Sequence, residues 1–318
     1  MHERTVFERL SRAVHYIDGS NLVYVENPKV ACSNIKWSLV NMFRPEMMED
    51  ITRIHDRRET PFITGFPDIV ASLRGDNKTV FSVVRHPRKR FISAYFDKMY
   101  EGRDQSVWRL IANHLELEED KVYEPKIVLD RLIGVSKQDL DPHVGCQYGN
   151  LFLGAIPYTK IFHLEKLDKA SNELSFSDFT LQMIDRQSHS TSSRVKASVF
   201  DEEALEMVDA MYADDYVCFN YRADAEAPVG DICLPDVRDF FLEFLGADRP
   251  VLYLKHFFEG GPQELSLLET EAVIDRISQF SLWDKLTHRL LDFIIVRNAI
   301  QQKDNIARFN AHFTEFPS

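Results

Sequence analysis

Two short segments constrain this chain more than any other feature, because each runs from an apolar strand pattern through a polar loop directly into a helix pattern. The first is "NLVYVENPKVACSNIKWSLVNMF", residues 21–43. Its opening run reads as a strand, and after the loop Ile35, Leu39, Met42 and Phe43 recur at helical spacing. The second is "TVFSVVRHPRKRFISAYFDK", residues 79–98, where a β-branched and aromatic strand meets a basic turn and then a helix. A helix that starts at a strand's end offers unpaired backbone N–H groups and the positive end of its dipole, which suits an anion. The first loop departs from the Walker A pattern: it holds no glycine, lacks the Gly-Lys-Ser/Thr ending and places Lys29 at its entrance.

In the second segment Arg85 ends the strand and Ser93 lies eight positions on. That is about two helical turns, so one face can present a guanidinium fork and a hydroxyl to a phosphate. The competing reading makes Arg85, Arg88, Lys89 and Arg90 a solvated basic turn. Two anion loops at the C-terminal ends of predicted parallel strands suit a nucleotide with phosphate at two positions. The net charge of −12 makes this local positive charge stand out and argues against general affinity for nucleic acid or an anionic membrane. Cys32, Cys146, Cys218 and Cys233 form no CxxC pair, which fits a reducing compartment and gives no zinc pattern. The first 16 residues lack the apolar core of a signal peptide, and "LLDFIIV" at 290–296, between Arg289 and Arg297, is too short to span a bilayer. The expectation is a cytoplasmic protein of 318 residues, 44% hydrophobic, with a sizeable core in one large domain or two smaller ones.

At this point the sequence resembles a known family. "NPKVACSN" is similar to the loop that holds the 5′-phosphosulfate in sulfotransferases using 3′-phosphoadenosine 5′-phosphosulfate, and "VVRHPRKRFISAY" is similar to their 3′-phosphate motif. "DPHVGCQ" at 141–147 with "YTKIFHLEKLDK" at 158–169 resembles the Asp-x-His-x-x-x-Gln segment and the Glu-x-Leu strand end of the carbohydrate group, which includes the chondroitin, dermatan and HNK-1 enzymes, with the heparan 2-O-sulfotransferases as more distant relatives. "VFDEEALEMVDAMYADDYVCFNY" at 199–221 resembles its closing helix, so the likeness spans roughly residues 20 to 222. It implies an α/β three-layer, P-loop-like fold with a short central parallel sheet. It also implies 3′-phosphoadenosine 5′-phosphosulfate as co-substrate, no metal, and a glycan or other hydroxyl-bearing acceptor.

The resemblance assigns roles to residues. Lys29 meets the charge that develops on the 5′-phosphate as the sulfonate leaves, while Val30, Ala31, Cys32, Ser33 and Asn34 cradle that phosphate, the small Ala31 and Cys32 standing in for glycine. The alternative is a surface loop with Ser33 capping the helix. Arg85 and Ser93 match the 3′-phosphate contacts. Ser193, Arg194 and Lys196 in "HSTSSRVKAS" either fold over the nucleotide or lie in an ordinary exposed loop. For the general base, His143 is the first choice and His55 the second, with Asp141 or Asp56 as the group that supports the imidazole. Val144 and Cys146 stand where the carbohydrate enzymes have an aromatic residue and a proline, which affects acceptor recognition more than chemistry. Glu165 takes either a structural or a catalytic part. His163 reads as a packed or surface histidine, and Val107, Leu110, Ile111 and His114 as an amphipathic helix face beside the acceptor cleft.

The expected domains are residues 1–222 for transfer and 223–318 as a helical extension. In the extension "RADAEAPVGD" is a linker, "DVRDFFLEFLG" a helix that stops on glycine, and Leu282, Leu286, Leu290, Phe293 and Ile294 one apolar face. That face packs on the core, forms a homodimer contact or serves the acceptor. Without the membrane anchor of Golgi members, a bacterial enzyme is expected. Two rivals to the sulfotransferase reading remain: a P-loop-type small-molecule kinase and a non-catalytic nucleotide-binding protein of the same fold.

Overall fold

The computed structural model describes residues 11–48, 53–64, 68–69, 72–73, 77–101, 106–135, 137, 140–153, 156–167, 173–176, 180–182, 199–232 and 234. The C-terminal helices read within 236–318, the dimer contact assigned to them, and Ser193, Arg194, Lys196 and Cys233 lie outside the described residues.

Strand β1 is Val14–Tyr16, and the run read in "NLVYV" forms β2, Leu22–Val25. "TVFSVV" forms β3, Thr79–Val84, and Lys160–His163 forms β4. The four make one sheet in the order β1-β2-β3-β4. β1 runs antiparallel to β2 with Val14 opposite Val25, while β2 with β3 and β3 with β4 are parallel, Leu22 facing Thr79 and Phe81 facing Lys160. β2 is buried throughout, as strands covered on both faces of a parallel sheet must be.

Period-two alternation divides these apolar residues between two cores. Val23, Val25, Val80 and Val84 face helices α2 (Pro87–Ala94), α3 (Ser106–His114), α4 (Pro125–Ile133) and α6 (Glu202–Met211), which contribute Phe91, Trp108, Leu129 and Val208 among others. Leu22, Tyr24, Phe81 and Val83 face α1 (Cys32–Phe43) and an antiparallel pair, β5 (Glu173–Ser175) and β6 (Thr180–Gln182). The expected layers are therefore present, with one antiparallel strand at the sheet's edge. A short helix α5, Gln147–Asn150, sits between α4 and β4, and α7 is Ala213–Cys218.

Three local expectations change. Met42 is 41% exposed, because Phe43, Met47 and Met48 cover the end of that core instead. In α3 the buried face is Trp108, Ile111 and Ala112, continued by Leu115, and Leu110 points outward. That face is centred on Trp108, whose ring N–H donates to the Glu119 carbonyl at 2.7 Å. The closing helix divides into α6 and α7 at Tyr212, whose hydroxyl donates to the Val144 carbonyl at 2.6 Å.

The basic turn is not a solvated patch. Pro87 opens α2 at a position where its missing N–H costs nothing. Arg88 forks onto Asp209 of α6, and Lys89 binds the Glu226 carbonyl at 2.9 Å. Arg90 is 1% exposed and spends its guanidinium on three main-chain carbonyls: Pro28 at 3.0 Å, Gly145 at 2.8 Å and Pro142 at 2.7 Å. It thereby ties the loop after β2 to the segment before α5. Arg90→Met should cost about 3 kcal/mol or more, since hydrogen bonds to charged groups contribute about 1.5–3 kcal/mol each, read as a lower urea midpoint at unchanged slope. Arg58→Ala, at a side chain 87% exposed, should stay within about 0.5 kcal/mol of the parent.

Candidate anion-binding and transfer site

The loop from Glu26 to Ala31 carries the chain out of β2, and its backbone explains how it dispenses with glycine. Lys29 at φ 71° and Ala31 at φ 52° are both left-handed, with Val30 between them at negative φ and fully buried. For residues with a Cβ this costs about 1–2 kcal/mol each, a strain typical of ligand-binding loops. Alternating handedness of this kind turns successive N–H groups into one concavity, which is an anion nest. Ala31 is the N-cap of α1 and no side chain caps the helix, so Ser33 is not a cap. Ile35 N–H donates to the Ala31 carbonyl at 3.0 Å and begins the intrahelical ladder. The N–H groups of Cys32, Ser33 and Asn34 precede that ladder and have no hydrogen-bond partner among the described residues.

The second loop is pinned to the first. The Gln147 amide takes both polar edges of Arg85, accepting from its N–H at 3.0 Å and donating to its carbonyl at 2.8 Å. The same Gln147 oxygen accepts from Asn27 at 2.8 Å. Gln147 is itself fixed by Asp215 of α7, whose buried carboxylate accepts the N–H groups of Gln147 and Tyr148 at 2.8 and 3.0 Å. The Arg85 side chain donates to the Lys29 carbonyl at 3.3 Å, so one guanidinium touches both loops. Among the described residues it has no carboxylate at ion-pair distance, and burial lowers its pKa, as for a cation short of a counter-ion. Ser93 lies further along α2, partly exposed, with no hydrogen-bond partner among the described residues. Two sets of donors thus converge on adjoining loops with capacity unspent.

The polar side chains around the two loops come from four elements. α2 continues into a π-helical turn, Tyr95–Tyr100, which brings Asp97 within 2.9 Å of Lys29 Nζ and 3.0 Å of Lys98 Nζ. Burial works to raise the Asp97 carboxyl, but the two ammonium groups hold it down at about 2. From the segment before α5, Asp141 accepts both the His143 backbone N–H at 2.9 Å and the ring Nδ1 proton at 2.7 Å. No hydrogen bond to His143 Nε2 is found among the described residues, and a ring held at Nδ1 by a carboxylate has the geometry of a supported general base. His55 Nε2 lies 2.8 Å from Ser33 Oγ and its Nδ1 lies 2.7 Å from Lys36 Nζ. Partial burial and then the Lys36 ammonium lower His55 to about 4, with Lys98 and His143 adding to the effect, so the two histidines are close enough to influence each other.

Asp56 does not support His55, because it is turned onto Arg58 at 2.7 Å. Glu165 takes the structural part, accepting the His86 N–H at 2.9 Å and the Tyr221 hydroxyl at 2.7 Å. His163 is buried with Nε2 2.7 Å from the Phe219 carbonyl. Burial and the neighbouring Glu26 carboxylate push the Cys32 thiol up to about 11, so it contributes no thiolate. Among the described residues no group of three or more His, Cys, Asp or Glu is placed to hold a metal ion, and no helix is long and apolar enough to cross a membrane. Sequence reasoning missed Asp97, whose approach to Lys29 depends on a π-helical register that no periodicity announces, and Lys36, which reads as an ordinary surface position.

A family model described as "Sulfotransferase family" matches residues 15–222, more than half of the chain. No curated protein and no solved structure matches it.

The imidazoles also set a pH dependence. Burial lowers His15 to about 3, and lowers His86 and His163 as well as His55. The unfolded chain therefore binds more protons below about pH 6.5, and stability falls as pH drops through that range. Asp215, raised to about 6 by burial, works the other way between pH 6 and its ordinary value of 3.8 and offsets part of the loss. The urea midpoint should be lower at pH 5.0 than at pH 7.5, and His15→Gln should shrink the difference. A midpoint that holds or rises on acidification contradicts this.

Proposed function

The chain belongs to the sulfotransferase family, and from that premise we propose that it transfers a sulfonate from 3′-phosphoadenosine 5′-phosphosulfate, the donor the family normally uses, to a hydroxyl of a carbohydrate or glycoconjugate. The observation that carries this reading is the pairing of a glycine-free nest, with three unused N–H groups and Lys29 at its rim, with a His143–Asp141 pair whose Nε2 is open. When bound, the donor supplies a sulfonate already activated by its anhydride link to phosphate.

The residues of the chain do the positioning and manage charge and proton, as in phosphoryl transfer, where fixed donors aimed at developing charge do most of the work. The N–H groups of Cys32, Ser33 and Asn34 and the Lys29 ammonium hold the 5′-phosphate side. Asp97 holds the Lys29 ammonium in place. Arg85 and Ser93 hold the second phosphate, which distinguishes this donor from nucleotides without a 3′-phosphate. His143 Nε2 takes the proton of the acceptor hydroxyl, and Asp141 fixes its tautomer and stabilises the imidazolium. Ser193, Arg194 and Lys196 complete the nucleotide site in this reading. In this reading residues 1–222 form the transferase domain and 223–318 a separate extension.

The test is transfer of labelled sulfonate from the donor to a panel of hydroxyl-bearing glycans. The parent should label at least one. His143→Ala should lower the rate about 100- to 10,000-fold while leaving nucleotide affinity close to the parent's. An unchanged rate would remove His143 from the base position, and a parent that binds the nucleotide but labels nothing across a broad panel would turn the reading to a non-catalytic binding protein.

A further inference from the structure

Behind the first loop lies a set of polar groups that the transfer chemistry does not use: His15 of β1, Glu26 after β2, Lys36 of α1, and Arg57. They form one chain with His55 and Ser33. Arg57 Nη2 is 3.4 Å from His15 Nδ1, and His15 Nε2 is 2.6 Å from Glu26 Oε2. Lys36 Nζ is 3.1 Å from both Glu26 oxygens and 2.7 Å from His55 Nδ1, and His55 Nε2 is 2.8 Å from Ser33 Oγ. Lys36 and His15 are 1% and 3% exposed.

Elementary donor and acceptor chemistry fixes the direction of every bond in this chain. A guanidinium and an ammonium only donate, and a carboxylate only accepts. Glu26 therefore accepts from His15 Nε2, which places the His15 proton there and leaves Nδ1 facing Arg57 Nη2, a nitrogen that also donates to the carbonyls of Val14 and Arg12. The Lys36 ammonium has three protons, and its partners are the two Glu26 oxygens and His55 Nδ1. His55 Nδ1 must then accept, so the neutral ring carries its proton on Nε2 and donates it to Ser33 Oγ. With its oxygen accepting from His55, the Ser33 hydroxyl is left to donate elsewhere, and Ser33 stands in the first turn of α1 beside the unused N–H groups. A ring whose loop-facing nitrogen already holds a proton is not the group that takes one from an acceptor hydroxyl.

We propose that the relay from Arg57 through His15, Glu26 and Lys36 fixes His55 as an N–H donor to Ser33, so that His55 and Lys36 are positioning residues that hold the Ser33 hydroxyl as a donor to the loop's anion, and that the proton-accepting role belongs to His143 alone. The identity of that anion rests on the transferase reading; the polarity of the relay does not. The groups that face His55 are Lys36 from α1, Glu26 from the end of β2, Lys98 from the π-helical turn and His143 from the segment before α5. Three of the four are basic, and although the His55 side chain is 57% exposed, the Lys36 ammonium against Nδ1 opposes a second proton on the ring.

The tautomer can be read directly, without substrate, from long-range proton–nitrogen NMR spectra of the full chain labelled with ¹⁵N-histidine. His55 should show a neutral ring protonated on Nε2, unchanged from pH 8 to pH 5. A His55 that titrates near its ordinary value of about 6.5, or carries its proton on Nδ1, overturns the proposal. Lys36→Met should free the ring to titrate near that ordinary value; should that variant not fold, the parent spectrum still decides. In the transfer assay His55→Ala should lose about tenfold or more, and His55→Gln, whose side-chain amide offers an N–H at similar reach, should recover most of it. Equal loss in both, at the 100- to 10,000-fold level of a missing base, overturns the proposal. The ring spectrum needs no donor or acceptor. An inactive parent therefore counts against the transferase reading, while the spectrum continues to decide the relay.

Discussion

A single buried guanidinium holds this arrangement together. Removing the Arg90 charge from water costs several kcal/mol, and among the described residues no carboxylate stands at ion-pair distance to balance it; instead three main-chain carbonyls, of Pro28, Pro142 and Gly145, receive its protons. Those carbonyls belong to two loops far apart in sequence, one carrying Lys29 and the other His143. The planar fork of arginine can hold three acceptors in fixed directions, which a lysine at the same place could not. The desolvation of Arg90 is thus fully offset only when the loop carrying Lys29 and the loop carrying His143 are both in place, which couples the two energetically.

Around that tie the backbone is held in a conformation it would not choose. Lys29 and Ala31 sit in left-handed geometry, and the surrounding contacts over-determine them: Val30 is fully buried, Arg85 holds the Lys29 carbonyl, and Asp97 holds the Lys29 ammonium. Gln147 performs a parallel service for Arg85 by engaging both its N–H and its carbonyl, and Asp215 fixes Gln147 in turn. Hydrogen bonds linked in such a buried network rigidify more than their pairwise sum suggests. The result is a set of donors held in fixed positions, which is the condition under which the proposed anion site would give effective electrostatic stabilisation.

Much of this was legible in the sequence because it is local. The strand patterns in "NLVYV" and "TVFSVV", the helix after "ENPKVACSN" and the support of His143 by Asp141 two residues away all follow from periodicity or short reach. What was not legible depends on contacts across long separations. Arg90 reads as one more charge in a basic turn until Gly145 and Pro142 are folded against it. Lys36 reads as a surface helix position until Glu26 and His55 surround it. Asp56 looks like the natural support for His55 by adjacency, yet it lies on Arg58 instead. The division of the closing helix at Tyr212 likewise follows from the bond of that side chain to Val144, which no local propensity encodes.

In the proposed function two adjoining loops, joined by the Arg85 side chain and the Lys29 carbonyl, form one site for a nucleotide bearing phosphate at both its 5′ and 3′ positions. The most direct measurement is calorimetric titration with 3′-phosphoadenosine 5′-phosphate, against 5′-AMP and ATP with magnesium, on the parent and on Arg85→Ala. The account predicts selective binding of the bisphosphate, weakened about 10- to 100-fold in the variant, as loss of a charged hydrogen-bonding partner implies. Equal affinity for all three nucleotides, or tighter binding of ATP with magnesium, would contradict it.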